Sequence, residues 1–241
     1  MANVARKWIP LVLIAGVMAL TSVAVRDLPS TVTIDLRGLL PFDLEPAGDV
    51  APRWVAVVLM PSIAALIWLG MVLGRSRAGL GLARRLFSTA PGSLADPASI
   101  DRFRGTYDTI SLSVVVIILG VHAGMVAAML GYETFAPRII NVVMGISLIV
   151  AGNVMPRLRP NLVAGVRTHK TLTDPDLWRA THRVLGVAFV SAGVITILVG
   201  LLAPEFGLAS AVISLVIACL VAAIGGARMR NRGPEAAARL D

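Results

Sequence analysis

Three histidines, one cysteine and a dense set of arginines are the residues of this chain with chemistry to offer. His122 lies in an apolar stretch, whereas His169 and His182 stand among Arg167, Lys170, Arg179 and Arg183. Two histidines are therefore not offered to one buried haem. No His-Glu-x-x-His, Gly-x-Ser-x-Gly or Cys-x-x-Cys spacing occurs. Cys219 stands alone in an apolar block, which excludes an intramolecular disulfide and leaves a small packing residue. No catalytic group, metal ligand or cofactor is expected, and the chain reads as a non-enzyme.

What remains is guanidinium chemistry, concentrated between Gly152 and Gly186 in GNVMPRLRPNLVAGVRTHKTLTDPDLWRATHRVLG. Arg157, Arg159 or Arg167 on a fixed loop could pair bidentately with a carboxylate or a phosphate. Basic residues beside a membrane also serve topology and lipid contact. That competing use needs only charge, and leaves the accompanying Asn, Pro, Gly, Thr and Trp unexplained. The candidate contact residues are Asn153, Pro156, Arg159, Pro160, Asn161, Gly165, Arg167, Thr168, Trp178, Thr181, His182 and Arg183.

Local rules shape the stretch. Pro156 and Pro160 interrupt a helix, and Asn153 and Asn161 are expected to bond the freed backbone groups. Gly165 allows a tight turn. Asp174 as N-cap, Pro175 at the first position and Asp176 in the first turn start a new helix. On it, Leu177, Thr181 and Val184 are expected to share a face. Trp178 is expected at headgroup level, with Arg179, His182 and Arg183 near the interface.

The elements that must position this loop are apolar. The chain has 241 residues, 56% hydrophobic and 15% charged, with a mean hydropathy of +0.81. A soluble domain carries about 25% charge. The apolar residues come in blocks of membrane-spanning length, at about 8–25, 54–73, 109–130, 138–154, 184–203 and 207–225. The fold expected is an all-α integral membrane protein, a six-helix bundle. With alternate connections on opposite sides, 18 of the 22 Lys and Arg share one side, leaving Arg26, Arg37, Arg53 and Arg138 on the other. The positive-inside rule then puts both termini, and the 152–186 loop, in the cytoplasm. The net charge of +8 is thereby explained at the membrane, without direct nucleic-acid binding. The first apolar block, behind Arg6 and Lys7, also has features of a signal peptide, but it is long for one.

Between the spans, 26–53 is acidic, and Thr31 to Leu36 alternates as a short strand would. Pro61 is expected to kink the second span. Leu80, Leu82, Leu86 and Phe87 among Arg84 and Arg85 suggest an interfacial helix. Ile100, Phe103, Tyr107 and Ile110 suggest that the third span begins below the membrane. His122 in that span, flanked by Gly120 and Gly124, invites either a functional role or a plain hydrogen bond to Asn141, Ser147 or Asn153. Short connections make spans three and four, and five and six, antiparallel neighbours.

At Gly152, Asn153, Met155, Pro156, Arg159, Pro160, Asn161, then Gly165–Thr168, Thr171, Leu172, Trp178, Thr181, His182, Arg183 and Gly186, the chain resembles the SdpI family of bacterial membrane proteins. It departs from relatives at His169-Lys170, where Pro-Trp is common. More weakly, residues 1–73 resemble a domain of unknown function that precedes the signature, with Asp35 near the place of a usual histidine. The division implied is 1–73, a 74–108 cytoplasmic linker, a four-span 109–225 domain and a basic 226–241 tail. The resemblance implies immunity to a secreted peptide toxin in the bacterial cytoplasmic membrane and signalling through a cytoplasmic repressor, while contact with anionic lipid headgroups is expected from the arginines beside the spans. A small-solute or lipid transporter or channel is the second class, disfavoured because His122 is the one titratable residue deep in a span.

Overall fold

The computed structural model describes residues 2–34, 49–86, 94, 101, 104–206, 209–217 and 219–220. In chain order the elements are α1 (Ala2–Ala24), β1 (Thr31–Ile34), β2 (Asp49–Pro52), α2 (Arg53–Gly74) and α3 (Arg77–Leu86). Then come α4 (Arg104–Met129), α5 (Ala136–Val154) with a 3-10 turn at Met155–Arg157, α6 (His169–Thr173) and α7 (Pro175–Leu202). A 3-10 turn at Pro204–Phe206 follows, and 209–217 and 219–220 are helical.

Four helices among the described residues are long and apolar enough to cross a membrane: Arg53–Gly74, Arg104–Met129, Ala136–Arg157 and Pro175–Leu202. Trp8–Ala24 is a shorter apolar helix. The expected span 207–225 lies only partly within the described residues. The distribution of side chains suits a lipid solvent. Large apolar groups such as Leu66, Val187, Leu198 and Leu202 face outward, while Ser111, Ser113, His122, Asn141, Ser147 and Thr196 are buried. With lipid tails as the surroundings, close packing and internal polar contacts must hold the helices together.

Small residues make that packing possible. A Cβ on Gly152 of α5 would overlap the Gly186 carbonyl of α7, and one on Gly186 would overlap the Gly152 carbonyl. Gly120 and Gly124 of α4 lie against Val143 and Ile140 of α5, as the Gly-x-x-x-Gly spacing suggests. At the other side of α4, Val115 and Leu119 pack with Ile14 of α1 and with Ala64 and Trp68 of α2. The N-terminal helices are thus part of the bundle.

His122 departs from expectation. It is fully buried, but its Nε2 is 2.8 Å from Thr21 Oγ1 on α1. Asn141 instead donates to the Pro204 carbonyl, at 3.1 Å. The reason is helix order: α1 packs on the His122 face of α4, and no local pattern announces a partner 101 residues away.

The strand anticipated from alternation is β1, which ends at Ile34; residues 35 and 36 are outside the described set. It pairs antiparallel with β2, Thr31 opposite Pro52 and Ile34 opposite Asp49. Arg53 anchors this hairpin, its Nη1 donating to the Arg26 and Leu28 carbonyls at 2.6 and 2.7 Å. The hairpin sits at the start of α2. The loop 155–174 contacts the helix α3 that follows the end of α2, so the hairpin and the loop occupy opposite ends of the bundle.

Candidate functional site

The 155–174 segment is a folded body with its own apolar core. Met155, Leu158, Leu162, Leu172, Trp178 and Leu185 cluster with Leu80 of α3 and with Tyr107 and Ile110 at the start of α4. Burial of this kind requires each backbone polar group to find a partner, and the signature side chains supply several.

Asn161, fully buried, is the hub of the turn. Its Nδ2 donates to the Arg159 carbonyl at 2.8 Å, and its Oδ1 accepts from the Val163 and Ala164 amides at 2.8 and 2.7 Å. It does the work expected of it. Asn153 does not: it lies inside α5 with an exposed side chain. Because the helix continues to Val154, the amides near Asn153 keep their helical partners.

Trp178 faces the protein interior rather than lipid. It is completely buried, its indole N–H donating to the Leu158 carbonyl at 2.8 Å, and it stacks on His182 with ring centroids 4.0 Å apart. A tryptophan beside arginines at a span end has the pattern of a headgroup anchor, but here the loop folds over it. His182 is buried too. Its Nδ1 is 2.9 Å from the Trp178 carbonyl, and its Nε2 accepts the Val166 amide at 3.1 Å. Only the neutral imidazole protonated on Nδ1 satisfies both bonds. The buried residues at the start of α7 are Trp178, Thr181, His182 and Leu185, with Leu177 and Val184 half-buried beside them.

Gly165 adopts φ +98°, and a Cβ there would enter the His182 ring. Arg167 folds back to donate to the Leu162 carbonyl at 2.6 Å and is half-buried, so it braces the loop. Thr168 caps α6 reciprocally with Thr171: each backbone amide donates to the other's Oγ1, at 3.2 and 2.9 Å. This short helix was not anticipated, because Thr-x-x-Thr is a weak form of the capping-box pattern. His169 and Lys170, the departure from relatives, are exposed on it. Asp174 caps α7 as expected, accepting from the Asp176 and Leu177 amides. Pro156 packs against Gly186, Pro160 is half-buried, and Thr181 is buried. Arg157, Arg159, Arg179 and Arg183 are exposed.

One polar cluster escaped the sequence reading. Arg75 donates to Asp108 at 2.9 Å, the two side chains only 17% and 13% exposed. The same guanidinium lies 5.7 Å from the centroid of the Tyr107 ring, whose hydroxyl donates to the Met71 carbonyl at 2.7 Å. In sequence, Arg75 looks like a topology charge and Tyr107 like one more position of an apolar stripe.

A lipid-facing bundle of long apolar helices, closed at one end by an ordered basic loop, defines a multi-pass all-α membrane protein. The model of the SdpI/YfhL protein family matches residues 157–227, which begin within the loop. Over 95 residues the chain is 28% identical to Immunity protein SdpI of Bacillus subtilis (strain 168), covering 39% of this chain and 46% of that protein. The chain thus spans about half the length of the curated relative that it matches. No solved structure matches. Both matches show that this part of the chain is similar to the SdpI family.

Proposed function

We propose that the chain is an immunity protein of the bacterial cytoplasmic membrane, protecting against a secreted peptide toxin. The observation that carries this reading is the family match at 157–227, which falls on the folded loop and the helices after it. The name of the curated relative supplies the activity. In this reading six spans place both termini and the loop in the cytoplasm. Residues 1–73, 74–108, 109–225 and 226–241 serve as toxin-side entry, linker, core domain and basic tail. The opposite-end placement of hairpin and loop supports that arrangement, as does the basic side. The toxin would meet the hairpin end or the bundle. The exposed face of the loop would meet lipid and signal to a cytoplasmic repressor.

Survival tests this. A toxin-sensitive host expresses the chain, or its R157Q/R159Q variant, at matched membrane levels, and is challenged with the sporulation-delaying peptide toxin of the family. Protection by the wild type supports immunity, and its loss in the variant makes the loop part of the mechanism. Failure of the wild type to protect refutes immunity to that toxin.

A further inference from the structure

Beside the folded loop lies an open cleft of about 400 Å³. Its apolar lining is Pro156, Leu158, Pro160 and Pro175, and its polar lining is three arginines, Arg157, Arg159 and Arg179. No carboxylate lines it. The nearest acid in the bonding pattern is Asp176, which pairs with Arg179 from one turn earlier on α7. Arg157 and Arg159 form no side-chain hydrogen bond or ion pair among the described residues.

The backbone that carries these two arginines is held rigidly. Leu158, between them, has extended geometry and turns its side chain into the loop core. Arg157, the last residue of the 3-10 turn, and Arg159 are both exposed and both line the cleft. The Leu158 carbonyl is bound by Trp178, and the Arg159 carbonyl by Asn161. Three prolines stiffen the rim. A pair of guanidiniums on a pinned backbone segment loses little freedom when it binds, which is the condition for useful affinity.

We propose that this cleft is a binding site for a phosphate oxyanion, with Arg157 and Arg159 as its principal donors and Arg179 as the third. Planar guanidinium forks match phosphate oxygens in pairs. The site follows directly on the last turn of the apolar helix α5, at the level where phospholipid headgroups lie. The phosphodiester of an anionic lipid is one source and soluble phosphate the other. The proposal deepens the loop contact put forward above and rests on it for the side of the membrane. Binding is therefore measured on purified protein, where it is read independently of survival.

The full chain in detergent is given phosphatidylglycerol or phosphatidylcholine, and bound lipid is counted by native mass spectrometry. In a second arm, inorganic phosphate is titrated as competitor. The variants are R157Q/R159Q and, as a control with equal charge loss at the other end of the bundle, R26Q/R138Q. The site predicts preferential retention of phosphatidylglycerol, weakened about tenfold or more in R157Q/R159Q and kept in the control. Stabilisation by inorganic phosphate alone, lost in the same variant, would also support the site and make soluble phosphate its source. Should R157Q/R159Q fail to fold, the single variants R157Q and R159Q are each expected to weaken retention in part. Equal loss in the two double variants, no preference in the wild type, or unchanged retention in both single variants would overturn the proposal.

Discussion

Replacing Trp178 by phenylalanine keeps an aromatic ring against His182 and removes one donor, the indole N–H that binds the Leu158 carbonyl. Both groups are buried, so the carbonyl cannot recover a bond from solvent, and the cost is about 1–3 kcal/mol. The smaller ring adds a cavity cost of the same sign. This energy opens the loop before it unfolds the bundle, because the bond ties the loop to α7. Loop opening should therefore rise about 5- to 150-fold. Trypsin reads it directly. The peptide bond after Arg157 is shielded while Leu158 is buried, and Arg159 is followed by Pro160, a bond that trypsin leaves intact. When opening is fast relative to cleavage, the cutting rate tracks the open population. W178F should thus be cut after Arg157 at least about fivefold faster than wild type, and W178A, costing about 3–5 kcal/mol, faster still. Equal rates for W178F and wild type would refute the reasoning, since the tryptophan would then not hold the loop.

Other substitutions test separate contacts. G165A places a Cβ into the His182 ring at φ +98° and should lower loop stability by about 1–3 kcal/mol, seen in the same protease assay. T21V removes the partner of His122 and should cost about 0.6 kcal/mol in detergent unfolding, the average for such interhelical bonds. For Arg75 and Asp108, R75M or D108L alone should cost about 1–3 kcal/mol, below the cost for a fully buried pair because both side chains keep some exposure. The double variant should cost less than the sum, and an additive result would mean that the pair is not coupled.

What could be read from sequence was what local rules govern. Asp174-Pro175 marks a helix start whatever surrounds it, and α7 is capped there. The apolar blocks announced long helices in the same way, and Pro156 ended α5 within a residue of its place. Partners across the fold were not readable. Trp178 beside Arg179 has one pattern whether lipid or a loop covers it, and Leu158, which decides the matter, lies 20 residues earlier. β2 lacks an alternating pattern and exists because β1 pairs with it. Arg75 and Asp108 are brought together only when α2 packs on α4. The signature of the loop therefore records folding as much as contact: Asn161, Gly165, Trp178 and His182 build it, while Arg157 and Arg159 face outward.

Hydrogen exchange of the purified chain at residues 158–168 separates a folded platform from a flexible basic loop. Val163 and Ala164 donate their amides to Asn161, and Val166 donates to His182. A folded loop predicts that these three amides exchange far more slowly than in a free peptide of the same sequence, and that N161A releases Val163 and Ala164 first. Exchange of all three at the free-peptide rate in the wild type would contradict it.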